Sequence, residues 1–81
     1  MIVINEDELY GAFYSVIKDG SGDEIVQLFR GLFDEAKGDI EKLISLESAL
    51  MRFDRMEMNF ETKDIVCTLL LIVMDETAKD F

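Results

Sequence analysis

The chain has 81 residues, eighteen of them acidic and eight basic, with no histidine, no proline and one cysteine; its formal net charge is −10. That length allows one domain and a small core, whose net stability is about 3–5 kcal/mol, so self-association is an expectation from the outset. An apolar share of 49%, with six Phe and two Tyr, excludes an acidic disordered chain.

The charge is spread evenly along the chain, and scattered Lys and Arg make no cationic stripe, so direct nucleic-acid binding is disfavoured. No basic region precedes an apolar stretch at the N-terminus, and the most apolar run is ten residues long against the roughly 20 needed to cross a bilayer. A cytoplasmic protein without a membrane span is therefore expected.

Helical periodicity dominates from residue 5 onward. After Met1-Ile2-Val3-Ile4, which reads as a short extended segment, Asn5 stands in N-cap position with Glu8 three residues on. Leu9, Ala12, Phe13, Val16 and Ile17 form one stripe that Tyr10 and Tyr14 widen, and Asp19-Gly20 ends the helix. Ser21 and Glu24 repeat the cap spacing before a second helix with Ile25, Leu28, Phe29, Leu32, Phe33 and Ala36 on its apolar face, stopped by Gly38.

Asp39 caps a third helix in which Ile40, Leu43, Ile44, Leu46, Leu50, Met51 and Phe53 cover a broad arc. Within it Leu43, Leu46, Leu50 and Phe53 follow the 3-4-3 spacing of an antiparallel bundle seam. The stretch 53–60 reads as the connection to the fourth helix; the alternation of Met56, Met58 and Phe60 also allows an extended segment there, pairing with residues 1–4. A fourth helix then runs from Phe60 or Lys63 to about Lys79 and contains the run 65–74, nine of whose ten side chains are apolar. The fold class expected is all-α, a single domain over 1–81 built as a bundle of about four helices and homodimeric.

Catalytic and metal chemistry find little to work with. Lys18 to Glu24 resembles the middle of a calcium loop, but aligning Gly22 with the invariant glycine puts Ile17 and Leu28 where the first ligand and the bidentate Glu belong. Zinc and di-iron sites need His or Cys clusters, and no phosphate-cradling glycine loop is present. Cys67 lies inside the apolar run without a histidine base, so it reads as a small buried hydrophobe. No cofactor and no enzymatic activity are expected.

Two features point to binding. Half of the acids, among them Glu6, Asp7, Glu8, Asp23 and Glu24, sit near predicted helix N-termini, where they complement the macrodipole. Asp34, Glu35, Asp75, Glu76 and Asp80 lie near C-terminal ends, where solubility or a basic partner explains them better. The fourth helix lacks a full polar face: Cys67, Leu71 and Met74 project opposite Ile65, Leu69 and Ile72, and one side is expected to meet another chain. Glu47 falls inside the arc of the third helix filled by Ile40, Leu43, Ile44, Leu50 and Met51. It reads either as a carboxylate reaching water at a seam or as a specificity charge in a subunit interface, paired with Arg30, Arg52 or Arg55.

The candidate interface is thus Cys67, Leu70, Leu71, Met74, Glu47, Leu50 and Phe53. The expected function is protein-protein binding by a small acidic regulator or inhibitor of a partner, with basic nucleic-acid-binding proteins among the candidates. The setting by analogy is a phage protein or bacterial accessory protein. The alternative is a structural or chaperone-like assembly subunit that holds a partner helix on an apolar surface. If Glu47 specifies a subunit contact, Glu47→Gln changes the oligomeric state in light scattering; an unchanged mass across a dilution series sinks that role.

Overall fold

The computed structural model describes residues 5–19 and 21–79. They form four helices, α1 (Glu6–Asp19), α2 (Gly22–Ala36), α3 (Ile40–Asp54) and α4 (Phe60–Lys79), packed into an all-α bundle. No strand occurs among the described residues, and 56–59 is an irregular link. The extended segment expected over 1–4 lies outside them.

Each helix begins on a side chain that satisfies amide donors left open by the first turn. The Asn5 Oδ1 accepts from the Glu8 amide at 2.9 Å, and the Ser21 Oγ from the Glu24 amide at 3.4 Å. The Asp39 Oδ1 accepts from the amides of Glu41 and Lys42. For α4 the cap is Asn59, whose Oδ1 accepts from the Thr62 amide at 2.8 Å. Gly38 turns the chain between α2 and α3 at a φ of 83°, a left-handed conformation that costs a residue bearing a Cβ about 1 kcal/mol.

The core is centred on α3, which touches all three other helices. Leu43, Leu46, Leu50 and Phe53, the seam read from spacing, are fully buried together with Ala49. Against them pack Leu9 and Phe13 of α1, Ile25, Phe29 and Ala36 of α2, and Val66, Leu69 and Val73 of α4. Gly22 lets the start of α2 come close to α4: a Cβ built there would lie 2.7 Å from the Ile65 Cδ1. Ala12, expected on the buried stripe of α1, is exposed, because that helix is turned so that Tyr10 faces α3.

Tyr10 is the join between α1 and α3. Its ring stacks on Phe53 with centroids 4.6 Å apart, the Arg52 guanidinium lies 3.8 Å from its centroid, and its hydroxyl donates to the Met56 sulfur at 3.3 Å. Arg52 also pairs with Glu6 at 3.2 Å and Asp7 at 3.0 Å. Both pairs are open to solvent, so they add little beside the aromatic stack. Tyr10→Ala is expected to destabilise the fold by about 2–4 kcal/mol in urea unfolding, through lost packing and stacking. Arg52→Ala should cost about 1 kcal/mol. A Tyr10→Ala variant as stable as the parent would show that Leu9 and Phe13 hold α1 by themselves.

Candidate protein-binding face

The fourth helix has a covered apolar side and an uncovered one, with Ile72, 42% exposed, between them. Val66, Leu69, Val73 and Thr77 recur at 3-4-4 spacing and are buried against the rest of the chain; the Thr77 hydroxyl donates to the Val73 carbonyl oxygen at 2.9 Å and so leaves no open polar atom there. The other side stays uncovered. Phe60, Leu71 and Met74 are exposed by 83%, 65% and 45%, and Cys67 is half-buried among them. At about 100° per residue, Phe60, Cys67, Leu71, Met74 and Ala78 fall within an arc of about 60°, one stripe along the helix.

This stripe continues onto α3. A five-residue link makes the two helices antiparallel neighbours, and the Cys67 thiol donates to the Asp54 Oδ1 at 3.1 Å. Counting back along α3 and forward along α4 from that contact, at about 1.5 Å per residue, Met51 comes level with Leu70, Glu47 with Met74 and Ile44 with Thr77. Ile44 and Met51 are exposed by 44% and 41%, and Glu47 is half-buried. The face is therefore two helices wide, with Ile44, Glu47, Met51 and Asp54 on one rim and Cys67, Leu71 and Met74 on the other.

The residues expected at an interface separate accordingly. Leu71, Met74, Cys67 and Glu47 belong to this face, and the half-buried Leu70 packs against the core at the level of Met51. Leu50 and Phe53 do not: both are fully buried by the chain's own helices, which removes them as a contact surface. Ile44, Met51 and Phe60 were missed as surface. Ile44 and Met51 share a helical arc with the core seam, and periodicity could not divide that arc into a covered and an uncovered half.

Glu47 is not sealed in the core. Among the described residues it makes no ion pair, and Arg52, one of the partners considered for it, serves Glu6 and Asp7 instead. The two residues are five apart on α3, about 140° around the helix, so one cannot reach the other. Carboxylates dominate the border of the face, with Glu47 and Asp54 on α3 and the exposed Asp64 and Asp75 on α4. Lys63 donates to the carbonyl oxygens of Asp54 and Met56, which holds it to the end of α3, and Lys79 lies by Asp75 and Glu76 at the far end of α4. Around the α3–α4 link, Arg55, Met56, Glu57, Met58, Phe60 and Lys63 line an open depression of about 560 Å³, continuous with the stripe through Phe60.

Towards α1, Glu6, Ser48, Met51, Arg52 and Arg55 line a second open depression of about 240 Å³. The pocket between Leu9, Leu32, Glu35, Ala36, Lys42 and Leu46 encloses about 10 Å³, room for one water at most. Among the described residues no group of three or more His, Cys, Asp or Glu could hold a metal ion, and no helix is long and apolar enough to cross a membrane. No family model, curated protein or solved structure matches this chain.

The hydrogen bond from Cys67 to the Asp54 carboxylate raises the thiol above its ordinary range, and desolvation and the charge of Asp54 act in the same direction; Lys63 opposes them and Asp64 adds to them. A thiol held protonated is a poor nucleophile. Asp54→Asn removes the first cause and the nearest negative charge, so the thiol pKa falls and the thiolate fraction at mildly alkaline pH rises. Iodoacetamide alkylation of Cys67 followed against pH should shift to lower pH in that variant. An unchanged profile would show that Asp54 does not govern the thiol.

Proposed function

We propose that this protein acts without catalysis, by protein-protein contact, as a small regulator or inhibitor of a partner, and that the α3–α4 face makes the contact. The observation behind this reading is the exposed apolar strip of Leu71, Met74 and Met51 set among carboxylates. Contiguous apolar surface is costly to leave in water, and soluble monomers keep such patches small unless a partner covers them. The inner side of α4 is covered within the chain, so the outer side is what is left to meet a partner. An acidic border attracts a basic surface and raises the association rate at low salt.

A second reading is an assembly subunit that holds a helix of a larger structure. Met51 and Met74 favour it, since unbranched thioethers adapt to differing apolar partners. The two readings share a face and differ in how much the charge matters. A regulator steered by its carboxylates loses binding as salt rises, whereas a holder of apolar helices binds nearly independently of salt.

Site-specific photocrosslinking in the cytoplasm of cells that make the protein tests the shared reading. A crosslinker replacing Leu71 should give a discrete protein adduct that one replacing the exposed Asp34 on α2 does not, and the adduct should weaken when ionic strength is raised about tenfold. Equal adducts at the two positions, or none at position 71, would overturn the assignment of this face.

A further inference from the structure

We propose that the occupant of the α3–α4 face is an amphipathic basic helix of another protein, lying along the groove between the two rims. Its apolar side would rest on Met51, Leu71 and Met74, and its Lys and Arg would meet Glu47, Asp54, Asp64 and Asp75. The inference rests on the contact reading above and adds the chemistry of the partner.

Shape points to a helix. The two rims belong to antiparallel helices, and the groove between such a pair accepts a third helix whose anchors recur at i, i+3, i+4 and i+7. The exposed stripe on α4 has the complementary spacing, with Phe60, Cys67 and Met74 seven residues apart and Leu71 and Ala78 offset by four. An extended strand has no sheet edge to join here, since no strand occurs among the described residues.

Charge chooses between a foreign helix and a second copy. Four carboxylates border the face; of the cations near it, Arg55 lines depressions beside Met51 and Phe60, Lys63 is held by the Asp54 and Met56 carbonyls, and Lys79 lies by Asp75 and Glu76. Two copies meeting through this face repeat the same residues across a two-fold axis. An antiparallel pairing of the α4 stripes, with Leu71 opposite Cys67 of the second copy, sets Glu61 between the other Asp75 and Lys79, two residues from each. A parallel pairing sets the two Asp64 residues against each other. The parallel arrangement confines like charges at a drying interface, and in either arrangement two chains of charge −10 repel at long range. A helix carrying Lys and Arg beside its apolar seam turns the same carboxylates into partners.

The decisive comparison uses charge in the direction opposite to packing. The probe is a synthetic 20-residue helical peptide with Leu at seam positions and Lys elsewhere, titrated onto the full chain; an equivalent Leu and Glu peptide is the control. Leu71→Glu adds a negative charge, so loose electrostatic attraction would tighten Lys-peptide binding, whereas a peptide seated on the face would bind on the order of tenfold more weakly. Ile72→Glu makes the same charge change one residue away, about 100° around the helix, and should leave affinity within about twofold. Met74→Glu should repeat the Leu71→Glu result, and circular dichroism melts confirm that each variant folds.

Weakening at 71 and 74 but not at 72, with no binding of the Glu peptide, supports the basic helix. Equal effects of Leu71→Glu and Ile72→Glu, or tightening by both, overturn it. So does a micromolar dimer of the free chain that Leu71→Glu dissociates, because the second copy would then be the occupant. Absence of Lys-peptide binding while the crosslink at position 71 persists overturns the basic helix and leaves the contact reading standing; loss of both removes the two together.

Discussion

The bundle depends on the contact between the inner seam of α3 and the inner side of α4. Leu43, Leu46, Leu50 and Phe53 meet an α4 stripe of Val66, Leu69 and Val73, and every one of these is buried, all but Leu69 almost completely. In a domain this small that contact supplies much of the apolar burial, at roughly 25 cal/mol per Å². It also sets what remains outside. Once Val66 and Val73 face inward, Leu71 and Met74, on the far side of the same helix, must face outward, and the antiparallel neighbour brings Ile44 and Met51 up beside them.

Helix number, order and ends were legible in the sequence because they depend on local chemistry. Asn5, Ser21 and Asp39 accept from the first-turn amides as their spacing implies, and Gly38 takes the positive φ that a terminating glycine supplies. The seam of α3 was legible for the same reason, since its period is set by the helix itself. Asn59 carries the same kind of cap, but the alternating Met56, Met58 and Phe60 before it masked the signal.

The division of surface from core was less legible. Ten nearly uninterrupted apolar residues in α4 give no direction in which the helix prefers to face, so sequence alone could identify Cys67, Leu71 and Met74 as one side without deciding which side the chain would cover. In α3 the difficulty was breadth. Leu50 and Phe53 lie in the same arc as Ile44 and Met51, and three neighbouring helices are enough to cover the first pair but not the second. The partner of Arg52 depended on tertiary placement too: only the packing of α1 brings Tyr10, Glu6 and Asp7 to it from more than forty residues away.

The charge and the uncovered apolar face answer one physical problem together. An apolar patch on a small protein invites self-association, and the usual protection is net charge of one sign, which raises the cost of bringing two copies together. Here the protection is placed at the patch itself, because Glu47, Asp54, Asp64 and Asp75 border it. Their repulsion toward a second copy and their attraction toward a cationic helix are the same field acting on opposite charges, over a range of about 8 Å at physiological ionic strength. On the proposal that this face takes a cationic helix, the same carboxylates serve docking and dispersal together, and neither requires a buried ion pair or any change in the fold.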